Sequence, residues 1–120
     1  MSRQASDACN YSPGGVVQAV TVAATDVNDT YAANSNHGPC VDIAAPGMGI
    51  TTTWLNGGTA TLSGSSMATP HVAGAAAILL SAETLTPTEV AQRLQNEATE
   101  GVLNNVPANT VNLLLCVDCA

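Results

Sequence analysis

Residues Ser63 to Gly74 read S-G-S-S-M-A-T-P-H-V-A-G, and the serine at position 66 is the side chain best placed to do chemistry. From Val72 to Leu80 the chain carries no charged residue, only Val, Ala, Gly, Ile and Leu. That pattern predicts a helix buried on all sides. Gly64, two residues before Ser66, permits a tight backbone that approaches its neighbours closely. A hydroxyl at the head of such a helix lies beside backbone N–H groups with no intrahelical partner, at the positive end of the macrodipole. An oxyanion can be stabilised there. An isolated serine in that place would be read as a helix cap; the full string argues against that reading.

The string resembles the nucleophile segment of the subtilisin-like serine proteases, whose signature is G-T-S-M-A-x-P-H-V-A-G. Ser65 stands where that family usually has Thr, and Ser66 falls on the catalytic serine. Further segments follow in the order found in the proteinase K-like branch, which includes aqualysin-type enzymes. They are Asp7 to Pro13, a β-rich stretch from Val16 to Thr25, Ser35-Asn36-His37-Gly38, Val41 to Gly47 and Val111 to Leu114. The resemblance spans nearly all 120 residues but only the C-terminal part of the family's catalytic domain. It implies an α/β fold: the C-terminal portion of a three-layer architecture with a mostly parallel sheet and a buried nucleophile helix. Residues 1–120 are then a single partial peptidase domain.

The family's chemistry uses Asp, His and Ser in that order, and the first two lie upstream of the segment present here. Serine at its free pKa is a weak nucleophile and requires an adjacent base. His71 follows Ser66 by five residues; at roughly 100° per residue it points about 140° away around the axis. It reads as an interior histidine held by a hydrogen bond. His37, in a polar loop between two strands, reads as an exposed loop histidine. Neither fits the general base. Counting back from Cys9, the family's oxyanion-hole Asn falls on Arg3, preceded by Met1-Ser2. A guanidinium donates hydrogen bonds, but its length and charge make it a poor substitute for a carboxamide.

By resemblance, Asn10, Tyr11, Ser63 and Gly64 contact a protein or peptide substrate. Catalysis needs no cofactor, and a structural calcium would be held by Asp42 with the backbone carbonyls of Val17 and Ala19. Hard oxygen ligands with one carboxylate and several waters suit that ion; the alternative is a strand-end Asp satisfied by backbone N–H groups. Gly14-Gly15-Val16-Val17 departs from the Pro- and Ser-rich loop of the family at this point. The resemblance also pairs Cys9 with Cys40 in a disulfide, which stabilises by roughly 3 kcal/mol or more for a loop of this size. Cys116 and Cys119 form a C-x-x-C without the helix N-terminus of a redox motif or the second ligand pair of a zinc site. They pair with each other in a small loop or with cysteines elsewhere.

A net charge of −7, with two Arg and no Lys, argues against nucleic acid as a partner. Only 9% of residues are charged, against about a quarter in an ordinary domain. With no Phe and one Trp, the core must be built from small aliphatic side chains. Met1 to Asn10 lacks the apolar run of a signal peptide. Val72–Leu80 is too short to span a membrane. The resemblance implies an extracellular enzyme, with leader and pro-segment upstream.

The elements that must position Ser66 follow from pattern. Val16–Thr25 and Val41–Ala44 read as strands, and Ile50–Trp54 and Thr59–Leu62 as a hairpin turned by Asn56-Gly57-Gly58. The nucleophile helix runs from about Ser65 to Ala82, with Pro70 on the boundary between the tolerant first turn and the helix interior. Thr86-Pro87-Thr88-Glu89 reads as a capping box opening a helix to about Thr99, closed by Gly101.

Two functional classes follow. One is the C-terminal part of a serine endopeptidase, active only with the N-terminal part of the same domain. The other is a truncated, non-enzymatic fragment, inert or binding. A G-x-S-x-G hydrolase elbow fits poorly, because Ala68 stands where its last Gly belongs and no acid–His pair follows. In either class, residues 1–120 alone are expected to leave an apolar patch along the nucleophile helix.

Overall fold

The computed structural model describes residues 5–119. Two short parallel strands, β1 (Val22–Thr25) and β2 (Ile43–Pro46), form its centre, in register from Val22 opposite Ile43 to Thr25 opposite Pro46. Two further strands, β5 (Thr99–Glu100) and β6 (Leu113–Leu114), complete a mixed sheet of order β1-β2-β6-β5. The β2–β6 pairing is parallel and the β5–β6 pairing antiparallel. A separate antiparallel hairpin joins β3 (Ile50–Thr53) to β4 (Thr59–Leu62).

Both faces of the sheet are covered. On one, Ala24, Ile43 and Ala45 meet Ala68, Val72 and Ala75 of helix α1 (Ser65–Ala82), together with Val90 and Leu94 of helix α2 (Pro87–Asn96). On the other, Ala23 and Ala44 meet Ala8, Tyr31, Val41 and Leu103, which come from loops. The alternation of Ala23, Ala24, Ala44 and Ala45 between the two clusters is the period-2 geometry of a strand buried on both sides. Small side chains let the layers approach closely where no Phe is available to fill a wider gap.

Several elements are shorter than their sequence patterns. The strand expected from Val16 begins only at Val22, because residues before it form turns, with Gly15 N–H donating to Tyr11 O at 2.7 Å and Ala19 N–H to Val16 O at 3.0 Å. The second strand is shifted two residues on, to Ile43–Pro46. Helix α2 stops at Asn96 and Thr99 enters β5, so Gly101 lies beyond the helix it was expected to close. The capping box is formed as the sequence predicts: Thr86 Oγ1 accepts from Glu89 N–H at 3.3 Å, and Glu89 Oε2 accepts from Thr86 N–H at 2.8 Å. Asn56 (φ 58°) and Gly57 (φ 74°) supply the left-handed residues of the hairpin turn.

Helix α1 departs from the expectation of burial on all sides. Its inner stripe is Ala68, Val72 and Ala75, spaced i, i+4, i+7 as one helix face requires. Ala76 and Leu79 flank that stripe, partly buried against the same cluster, whereas Ile78 and Leu80 are each about half exposed. Exposed apolar side chains therefore lie along this helix, in the direction of the expectation for residues 1–120 alone. No charged residue appears in α1 to solvate that outer face.

Candidate functional site

The approach to α1 is fixed by two backbone contacts from the loop after β2. Gly64 N–H donates to Gly47 O at 2.7 Å, and Gly49 N–H donates to Ser63 Oγ at 2.8 Å. Gly64 has φ 145°, a conformation that only glycine adopts without strain. A Cβ at Gly47 would lie 2.7 Å from both Gly64 O and Ala24 Cβ. The chain leaving β4 is thus held against the end of β2, and α1 starts at a fixed point above the sheet.

Ser66 is exposed at the second position of that helix. Met67 N–H and Ala68 N–H both turn back to Gly64 O, at 2.9 and 3.3 Å. The N–H groups of Ser65 and Ser66 meet no acceptor among the described residues. One free hydroxyl and an unpaired amide therefore belong to the same residue, where the helix field favours negative charge.

Ser66 lines an open cleft of about 430 Å³ with Ser65, Thr69, Tyr11, Pro13, Val20 and neighbouring residues. No His, Asp or Glu lines it among the described residues. His71 faces a different recess, beside Ile50, Thr52, Leu62 and Pro70, and its Nδ1–H donates to Met67 O at 2.8 Å. It is exposed rather than interior, which corrects the expectation of a buried histidine; the hydrogen bond itself is formed. His37 is half-buried rather than a free loop residue. It forms a bridge with Asp7, its N–H donating to Ser6 O at 3.0 Å and its carbonyl accepting from Ala8 N–H at 2.8 Å.

Of the expected substrate contacts, Tyr11 lines the Ser66 cleft, whereas Asn10 does not. Ser63 and Gly64 also lie outside its lining, and their polar groups are engaged by Gly49 and Gly47. Arg3, with Met1 and Ser2, lies outside the described residues.

Asp42 sits at the N-terminal end of β2. Its Oδ2 accepts from Thr21 N–H at 2.8 Å, the backbone contact expected of a strand-end Asp. The carbonyls of Val17 and Ala19, in the turn just before Thr21, accept no backbone hydrogen bond among the described residues. One carboxylate with oxygen atoms to spare and two unengaged carbonyls near the same sheet end make a donor set that fits calcium in kind. No group of three or more His, Cys, Asp or Glu able to hold a metal occurs among the described residues, so carbonyls and water would have to complete the shell.

Cys9 and Cys40 are bonded, with Cα atoms 5.3 Å apart. The bridge ties the turn carrying Tyr11 to the segment entering β2. Cys116 and Cys119 are paired with each other in this structure, the small-loop arrangement among the two considered from the sequence.

Thr69 and Gly47 were not singled out by sequence. Thr69 Oγ1–H donates to Ser65 O at 2.9 Å inside the cleft; a hydroxyl four residues after Ser65 was the signal for it. Gly47 follows Pro46 and reads as a strand stop, which hides its close approach to Gly64.

The Subtilase family profile matches residues 2–112. An extracellular serine proteinase from a Thermus species is 50% identical over 112 residues, covering 91% of this chain and 27% of that protein. The cuticle-degrading protease of Metarhizium anisopliae is 46% identical over 109 residues, covering 90% of this chain and 28% of the protease. The crystal structure of a cold adapted subtilisin-like serine proteinase matches with a TM-score of 0.89 at 44% identity, covering 94% of this chain and 41% of that one. The chain spans about a quarter of the length of these curated relatives. With a matching profile over nearly its whole length and a shared architecture around Ser66, the chain belongs to the Subtilase family.

Proposed function

We propose that Ser66 is the nucleophile of a serine endopeptidase that cleaves peptide bonds in extracellular proteins through an acyl-enzyme. The observation that carries this reading is the pairing of a free Ser66 hydroxyl with its own unpaired N–H at the head of α1. Ser66 Oγ attacks the scissile carbonyl, its proton passes to a base, and the new oxyanion is received by Ser66 N–H. Tyr11 and Pro13 form part of the wall against which the substrate side chain lies. Membership of the family and the extracellular relative support this reading.

Among the described residues neither histidine faces the cleft, so the base and its orienting carboxylate come from the N-terminal part of a subtilase domain. A structural calcium at Asp42, with the Val17 and Ala19 carbonyls, would add a cross-link between the turn before β1 and the start of β2. The second reading is a non-enzymatic fragment, in which the cleft, lined among the described residues by no His, Asp or Glu, only binds.

A fluorophosphonate that labels activated serines separates the two. Residues 1–120 alone should not be labelled. Joined to the N-terminal part of a subtilase domain, the chain should label and cleave peptides, and Ser66→Ala should abolish both. A joined protein that folds but neither labels nor cleaves would establish the non-enzymatic reading.

A further inference from the structure

Thr69 Oγ1–H donates to the carbonyl oxygen of Ser65 at 2.9 Å. That carbonyl and the N–H of Ser66 belong to one planar peptide unit, so neither can rotate without the other. Whatever holds Ser65 C=O therefore also aims Ser66 N–H. Among the described residues this amide has no acceptor, and Ser66 and Thr69 both line the cleft.

Residue 70 is proline, inside α1, and it has no N–H to give to the carbonyl of Ser66 four residues back. The helix ladder lacks a rung immediately after the peptide that carries the oxyanion donor. The Thr69 hydroxyl adds a bond at the rung just before that gap. A hydrogen bond accepted by an amide carbonyl also polarises the amide and strengthens its N–H as a donor, by roughly 10–30% per bond.

Helix stability does not account for this bond. Back-bonding from Thr to the i−4 carbonyl slightly destabilises helices and tends to bend them. Thr69 is also exposed, so its methyl group contributes little to the core. What the hydroxyl does contribute is orientation of one peptide plane.

We propose that Thr69 is a positioning residue, whose hydroxyl acts through the Ser65 carbonyl to orient and polarise the Ser66 N–H that receives the oxyanion. This rests on the reading of Ser66 as the nucleophile, and the test keeps the two apart. In the 120-residue chain labelled with nitrogen-15, Thr69→Val should move the Ser66 amide resonance, and Thr69→Ser should return it toward its original position. An unmoved Ser66 amide in the Val variant overturns the proposal whatever Ser66 does chemically.

The second arm measures peptide cleavage by the same chain joined to the N-terminal part of a subtilase domain. Thr69→Val should lower kcat about tenfold with KM unchanged, less than the 10²–10³ lost when an oxyanion donor is removed outright. Thr69→Ser should recover most of that loss, and thermal stability should stay level or rise in the Val variant. A KM effect alone, or a kcat loss that Ser fails to rescue, overturns the positioning role. Loss of activity in Thr69→Val with an intact response to Ser66→Ala leaves the nucleophile assignment standing; activity surviving Ser66→Ala sinks that assignment instead. If the Val variant does not fold, Thr69→Ala takes its place, since alanine suits any helix position.

Discussion

The N–H of Gly64 donates to the carbonyl of Gly47 at 2.7 Å, and this contact sets the point at which the Ser66 helix begins. It connects the end of β2, whose Ile43, Ala44 and Ala45 are buried, to the first peptide of α1. Because Gly47 has no side chain, Gly64 and Ala24 can both come within touching distance of its backbone.

Gly47→Ala should therefore destabilise the chain and displace the start of α1. The added Cβ would lie 2.7 Å from Gly64 O and from Ala24 Cβ. Forcing a methyl group into a packed site costs about 1–3 kcal/mol. Urea denaturation measures the loss. An unchanged midpoint would show that the loop after β2 moves freely, and that Gly64 is not held by it.

The sequence made α1 legible over its full length because a charge-free apolar run preceded by Gly64 has few alternatives. The capping box of α2 was equally readable, since Thr86, Pro87 and Glu89 act locally. The start of β1 was not. Val16, Val17 and Val20 have strand propensity, yet turns bonded to Tyr11 and Pro13 carbonyls hold the backbone out of the sheet until Val22. The same limit hid the clamp on Ser63 and Gly64, because it is a contact between residues about fifteen positions apart. Ser66 was found from its neighbours in sequence; the clamp that aims it depends on tertiary contact.

Removing the Cys9–Cys40 bridge, by replacing both residues with Ser, should cost about 3–4 kcal/mol in the chain-entropy picture for a loop closed across 31 residues. The loss should appear as a lower urea midpoint in the oxidised protein and vanish when wild type is reduced. A double Ser variant as stable as oxidised wild type would mean that the loop remains ordered without the bridge.

Thr86→Ala should cost about 1 kcal/mol, because it leaves Glu89 N–H without its side-chain cap, while the backbone N–H of residue 86 can still donate to the Glu89 carboxylate. Thr86→Ser should recover most of the stability. Equal loss in both variants would assign the effect to the threonine methyl group and not to the cap.

Tyr31 makes stability depend on alkaline pH. Its side chain is buried against the loop face of the sheet, and its hydroxyl donates to Asn36 O at 2.7 Å. Burial, opposed in part by a hydrogen bond from Ser35, pushes the phenol up from 10.0 to about 12. The folded state thus holds this proton more tightly than the unfolded chain does. The contribution to stability is complete below about pH 10, and it is lost as pH rises from there through the folded value. Urea midpoints should fall across that interval, and Tyr31→Phe should flatten the fall while lowering stability at neutral pH, where the Asn36 carbonyl loses the shorter of its two donors. Ultraviolet titration of phenolate should show one tyrosine ionising only near pH 12 in the folded wild type, and that component should be missing from the Phe variant. A wild type whose Tyr31 ionises near pH 10 without unfolding would show that its hydroxyl reaches water.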